Sequence, residues 1–352
     1  MSTSRAYEID LLRFCAAVSV VLFHWSFRGG VAGGPSVLSY PWLQPAAQYG
    51  YLGVELFFMI SGFVILLSAS GGDVRSFLVS RVVRLYPAFW ICCTLTFVWA
   101  LVAADPNFVF TPGQYLANLS MLSGFFGVAS IDGAYWSLFV EIRFYLMVLI
   151  VLALGWMPKI DLLLCGWLAV AVLQQMVRSG PLWHWLIATH AAYFIAGAAC
   201  YLIFSRGATP TRWGLVGGAW LLALYRSNQD LADLEKQLGS PFDPIVVAVI
   251  VSAFFALMVG VALGRFGALR SKAWLPLGML TYPLYLLHQN IGYMVFNRLH
   301  GNVDIHLLFW GTFVAMLAAA WALHRWVERP LARHMKALLG RRREHRLTVA
   351  TP

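Results

Sequence analysis

Arg13 and His24 share one apolar stretch, LLRFCAAVSVVLFHW (11–25), eleven residues apart. On an α-helix that spacing returns the two side chains to within about 20° of the same face, about 16 Å apart along the axis. An ionisable group in a membrane helix is costly and is usually kept where it faces a bundle interior or a water-filled cavity, so both are candidates for function. A guanidinium holds anions such as phosphate. An imidazole titrates near neutrality and can take a proton from a hydroxyl. Glu55 and Glu141 open two further apolar stretches that run the other way, which predicts both carboxylates near the depth of His24, where either would orient the ring. Purely structural readings stand beside these. Arg13 would snorkel to headgroups or pair with Asp10, and His24 would serve an interhelical hydrogen bond. Glu55 would pair structurally, and Glu141 would neutralise Arg143 or Arg13.

A second basic cluster lies in RSFLVSRVVRLYPAFW (75–90), where Arg81 and Arg84 are i,i+3 neighbours beside Arg75. Topology alone places arginines at a membrane edge. Paired guanidinium forks at the start of a helix also suit phosphate. Phosphate chemistry at one surface and proton chemistry a long arm away suit a nucleotide that carries a flexible thioester arm.

The elements that must hold these residues are membrane helices. The 352-residue chain is 60% hydrophobic and only 11% charged, too little charge to cover a soluble domain of this size. A helix needs about 20 apolar residues to cross the hydrocarbon core. Such runs recur at 9–27, 50–70, 86–104, 135–155, 160–177, 184–204, 212–226, 244–264, 274–297 and 305–326, the run at 212–226 being the shortest. The expected fold is therefore an all-α integral membrane bundle of about ten transmembrane helices with both termini cytoplasmic. That layout puts Arg5, Arg75, Arg81, Arg84, Lys159, Arg206, Arg212, Arg265, Arg270, Lys272 and the basic tail inside. It leaves Arg28, Arg178, Arg226, Lys236 and Arg298 outside. The net charge of +10 is then a matter of topology and anionic lipid, and nucleic acid is not expected as a partner. No signal peptide is expected, because Glu8, Asp10 and Arg13 interrupt the pattern.

One membrane domain is expected over 1–335, followed by a basic cytoplasmic tail over 336–352. Connectors 105–134 and 227–243 are the long ones on the outer side, the second around a possible short helix, and either would shape an extracytoplasmic mouth or stand as a solvated loop. Cysteines 15, 92, 93, 165 and 200 read as buried free thiols, with no disulfide framework and no metal site.

The chain resembles acyltransferase family 3, the integral-membrane acyltransferases, from about residue 6 to 335. YEIDLLRFCAAVSVVLFH (7–24), GVELFFMISGF (53–63), RVVRLYPAFW (81–90), WSLFVEIRFYL (136–146), LTYPLYLLHQN (280–290) and WVERPL (326–331) carry the likeness. Each is weak alone, and the six in this order are specific. Tyr282-Pro283 departs from the serine-tyrosine-serine type of run before YLLH, which bears on the helix around His288.

The resemblance implies transfer of an acyl group, commonly acetyl, from cytoplasmic acyl-CoA to a hydroxyl of a surface carbohydrate or lipid-linked saccharide. The setting it implies is the bacterial inner membrane, with acetyl-CoA as co-substrate and no permanently bound cofactor. It assigns His24 as catalytic base, Arg13, Arg81 and Arg84 to the donor, and importance to Glu141 and Trp136. Ser61, Ser137, Tyr145 and His288 are candidates to stabilise an oxyanion. Asp10 and Glu55 would support the site, and Trp136 would face the acceptor or join an interfacial aromatic belt. The competing class is a transporter or flippase for a lipid-linked saccharide.

Overall fold

The computed structural model describes residues 6–31, 33–177 and 179–348, with side chains to residue 339. Arg5, Arg178 and the side chains of the RRREHR run (341–346) lie outside the described residues. Backbone polar groups in hydrocarbon must be satisfied within the segment, which favours helices for the apolar runs. In chain order the helices are α1 (Glu8–Leu22), α2 (Gln44–Ala47), α3 (Gly53–Ala69), α4 (Val74–Ala103), α5 (Pro112–Leu119), α6 (Trp136–Ala153) and α7 (Ile160–Val177). They continue as α8 (Pro181–Trp185), α9 (Ala191–Arg206), α10 (Pro210–Leu238), α11 (Pro244–Ala262), α12 (Leu275–Leu299), α13 (Ile305–Leu323) and α14 (Arg329–Thr348). No strand occurs among the described residues, apart from an isolated bridge between His300 and Val303.

All ten apolar runs lie largely in helix, and seven helical stretches among the described residues are long and apolar enough to cross a membrane. The other three fall short for different reasons. Helix α9 has only 16 residues. Helix α10 carries Arg212, Arg226, Asp230, Asp233, Glu235 and Lys236, and α12 carries His288, Gln289, Asn290 and Arg298. The connector expected over 227–243 is mostly helix. Thr209 caps the start of α10 by accepting from the Arg212 N–H, and no Gly or Pro follows Gly218 until Gly239 ends the helix at φ 64°. In the other long connector, Thr111 caps α5 in the same way.

The chain divides into two compact units: Met1–Gly71 with Trp136–Gly278, and Gly72–Tyr135 with Met279–Pro352. In the first unit the spine is α9, buried from Ala191 to Ile203 against α3. Small residues allow the two backbones to meet. A Cβ on Gly62 would run into the Phe194 carbonyl oxygen, and one on Gly197 into that of Met59. With Glu55 beside His190 and Ser70 Oγ 2.6 Å from the Tyr201 hydroxyl, the helices run parallel in a steady register. Helix α1 packs antiparallel on the other side of α3. A Cβ on Gly53 would sit 2.6 Å from the Ala16 carbonyl oxygen, and one on Gly50 would sit 3.0 Å from Phe23 Cβ.

In the second unit, α4 runs unbroken through Pro87 and α12 through Pro283. The Tyr282-Pro283 departure therefore leaves helix α12 continuous, with the Tyr282 hydroxyl donating to the Leu85 carbonyl at 3.3 Å. All five cysteines are free, and Cys15 is exposed where a buried thiol was expected.

Candidate active site

His24 sits in a π-helical turn, Phe23–Arg28, that extends α1. The Gly29 N–H reaches back five residues to the His24 carbonyl at 2.8 Å, and Ser26 Oγ donates to the Leu22 carbonyl at 2.7 Å. Such turns widen a helix locally, turn a side chain off its regular face, and are frequent at functional sites. An aromatic wall surrounds the turn. Phe23 lies 5.6 Å from Tyr51, and Phe242 meets Phe27 and Tyr51 edge-on at 5.8 Å each. His24 is half-buried, with the Phe23 ring 5.3 Å from its own.

The two carboxylates do not share one level. Ser61 Oγ donates to Glu141 Oε1 at 2.6 Å, which ties Glu141 to the middle of α3. From Gly50, beside Phe23, to Ser61 is eleven residues, about 16 Å at 1.5 Å per residue. Arg13 lies ten residues before Phe23 on the antiparallel α1, which sets the Ser61–Glu141 pair nearer the level of Arg13 than that of Phe23. Both glutamates were placed from the ends of their apolar runs, whereas Glu141 meets α3 at Ser61, six residues beyond Glu55. Ser137 and Tyr145 flank Glu141 at i±4 on α6, Ser137 buried and Tyr145 half-buried. Asp10 is buried at the start of α1, packed against Gly278.

Glu55 is engaged by a histidine that sequence reading passed over. His190 Nδ1 lies 3.3 Å from Glu55 Oε1, and both side chains are 16% exposed. The His190 ring is 4.9 Å from Phe58 and 5.5 Å from Trp136, which remains 43% exposed. Near this cluster Arg226 pairs with Asp230, whose carboxyl is pushed up by burial and pulled back by that arginine. The available signal was a lone histidine immediately before the alanine-rich run AAYFIAGAA (191–199).

The second unit holds Arg81, Arg84 and His288. Arg81 turns onto the Phe77 ring, 5.8 Å from its centroid, and donates to Ser80 Oγ at 2.8 Å. Arg84 is exposed and opens into a cavity with Asp73 and Ser76 on its wall. The i,i+3 arginines therefore diverge. His288 is fully buried, with Nδ1 2.8 Å from the Tyr285 carbonyl.

The SIDG turn beside α12 is held by Asp132, which is fully buried. Its Oδ1 accepts the Ala134 N–H at 2.9 Å and its Oδ2 the Asn290 N–H at 3.0 Å. Asp132 lies outside the seven candidate spans, and burial pushes its carboxyl up to about 7 against the lowering effect of those two donors. A carboxyl raised from 3.8 in the unfolded chain to about 7 in the fold contributes stability below the lower value and loses it as pH rises through the upper one. The loss is on the order of 4 kcal/mol once both values are passed. Thermal unfolding in detergent should show a midpoint that falls between pH 5 and pH 8, and Asp132→Asn should flatten that slope. An unchanged slope in the variant would assign the pH dependence elsewhere.

Against known proteins, residues 6–325 match the family model described as an acyltransferase domain. The chain belongs to acyltransferase family 3. This acyltransferase is 26% identical to nodulation protein 10 of Rhizobium leguminosarum bv. viciae over 97% of each chain. It is 26% identical to the exopolysaccharide production protein ExoZ of Rhizobium meliloti, over 68% of this chain and 75% of that one. A putative peptidoglycan O-acetyltransferase, YrhL of Bacillus subtilis, is 31% identical over 40% of this chain and 22% of its own. No solved structure matches. Family membership favours acyl transfer over the transporter reading, and the apolar helices agree with a multi-pass membrane acyltransferase.

Proposed function

We propose that this acyltransferase moves an acyl group, acetyl in the first instance, from cytoplasmic acyl-CoA to a hydroxyl of a cell-surface or exported carbohydrate. It would do so as a ten-span inner-membrane protein with both termini in the cytoplasm. The observation that carries the reading is the placement of His24, the histidine of the family-like Arg13–His24 motif, in a π-helical turn walled by aromatic rings. The names of ExoZ and YrhL support a carbohydrate acceptor.

In this mechanism His24 takes the acceptor proton as the hydroxyl oxygen bonds to the thioester carbonyl. The carbon–sulfur bond then breaks and the thiolate of coenzyme A leaves. A variant carries the acyl group on His24 first. Because the thiolate leaves readily, the protein contributes mainly position and proton removal. Arg13, Arg81 and Arg84 hold donor charge. Glu141, which accepts from Ser61, or Glu55 orients the His24 ring. Glu55, His190 and Trp136 face the acceptor, the indole offering a flat face to a sugar ring.

The test is transfer of labelled acetyl from acetyl-CoA to exopolysaccharide or peptidoglycan fragments by purified protein in lipid vesicles. Failure to consume donor, together with unaided movement of a lipid-linked saccharide, would reject the reading. Within it, Ser61→Ala removes a hydrogen bond to a charged carboxylate, an interaction of about 1.5–3 kcal/mol, and should lower kcat about tenfold or more. Ser61→Thr should recover most of it. Equal losses in both variants would make Ser61 a packing residue only.

A further inference from the structure

The cavity beside Arg84 has a volume of about 760 Å³, and one wall comes from the carboxy-terminal helix. Helix α4 contributes Arg75, Ser76, Ser80 and Arg84, and the far side contributes Glu328 and Lys336. Arg75 holds the walls together by donating to the Leu339 carbonyl at 2.6 Å. The volume lies within the range of about 300–1,000 Å³ usual for small-molecule sites.

Its charges are unequally committed. Glu328 is paired with His324 at 2.9 Å, and Asp73 on the same wall caps α4 by accepting from Ser76 N–H at 2.9 Å. Among the described residues, Arg84 and Lys336 make no ion pair or hydrogen bond. The acids are satisfied within the chain, Asp73 also by the Ser76 hydroxyl at 2.9 Å, while Arg84 and Lys336 line the cavity with their charge uncommitted. That set selects a phosphate ester, because guanidinium and ammonium groups bind its oxygens through charge-assisted hydrogen bonds. The far wall lies beyond residue 325, where the family match ends.

We propose that this cavity binds the phosphate-bearing nucleotide end of the acyl donor, and that Lys336 and Arg75 bind it alongside Arg84. The proposal rests on the acyl-CoA reading above. It makes the basic carboxy-terminal helix part of the donor site, where sequence composition presented it as a topological tail. The same phosphate chemistry is offered by anionic lipid headgroups, and the experiment separates the two sources.

Acetyl-CoA binding would be titrated on the full chain in nanodiscs of phosphatidylcholine alone and of phosphatidylcholine with phosphatidylglycerol. The proteins would be wild type, Lys336→Gln and Lys336→Arg. Lys336 is exposed, so neither change removes packing. The expected result is about a tenfold rise in Kd for Lys336→Gln in both bilayers, recovery in Lys336→Arg, and a raised donor KM with kcat kept at saturation. Wild-type binding with an unaltered Kd in Lys336→Gln overturns the cavity assignment and leaves the acyl-CoA reading standing. Loss of retained phosphatidylglycerol with donor Kd unmoved gives the cavity to lipid and also overturns it. If wild type binds no acetyl-CoA, the underlying reading fails and the inference falls with it.

Discussion

Replacing His24 by alanine is expected to lower the turnover of acetyl-CoA by about 10²–10⁴-fold, the usual contribution of a general base. Donor affinity should stay near that of wild type. In the proposed mechanism the imidazole serves proton transfer, while the donor's charge is assigned to Arg13 and the arginines of α4, so deleting the imidazole removes the first and leaves the second in place. The turn itself should survive, since the backbone bond from Gly29 and the packing of Phe23, Phe27, Tyr51 and Phe242 on one another remain in the variant. Stopped-time transfer assays beside donor titration on the same preparation decide the matter. A variant that loses donor binding in proportion to turnover would make His24 a binding group, and one that keeps turnover would end its candidacy as the base.

Gly197→Leu is expected to abolish or nearly abolish folding. A Cβ at this position meets the Met59 carbonyl oxygen and lies 3.0 Å from the Phe63 N, and both are backbone atoms of α3 that no rotamer change can move. Helix α9 is buried on all sides at this level, so it cannot back away without opening its other interfaces. Overpacking a tight interior costs about 1–3 kcal/mol when side chains can adjust, and a backbone obstacle puts this case at or above the upper end. Gly214→Leu is the control, because nothing lies within 4 Å of a Cβ there. Size-exclusion profile and thermal midpoint in detergent should separate the two. Equal stability of both variants would mean that α3 and α9 do not cross this closely.

The apolar runs were legible because the bilayer makes a simple demand: about 20 residues of hydrocarbon and every backbone bond closed locally. Where that demand met polar sequence, reading the chain alone was less sure. Residues 227–238 offered a possible short helix among their acids, and the structure makes them the continuation of α10, set by a threonine cap and a terminal glycine. The family motif, Arg13, His24, the paired arginines and the two glutamates were all visible as residue types at recognisable spacings.

Their partners were not visible. Sequence spacing measures distance along one helix, whereas the level at which α6 meets α3 is decided by small-residue contacts between helices distant in the chain. Thus Glu141 found Ser61, 80 positions away, and Glu55 found His190, 135 positions away. Composition and apolar run length alone determined that this is a helical membrane protein with an arginine and a histidine eleven residues apart in its first apolar run, and the six ordered motifs carried its resemblance to the acyltransferases. Only the tertiary structure decided which carboxylate stands beside which base, that Arg81 and Arg84 part company, and that a carboxy-terminal lysine shares a cavity with α4. Hydrophobic length is a property of each segment by itself, while close helix approach depends on the pairing of surfaces that no single segment encodes.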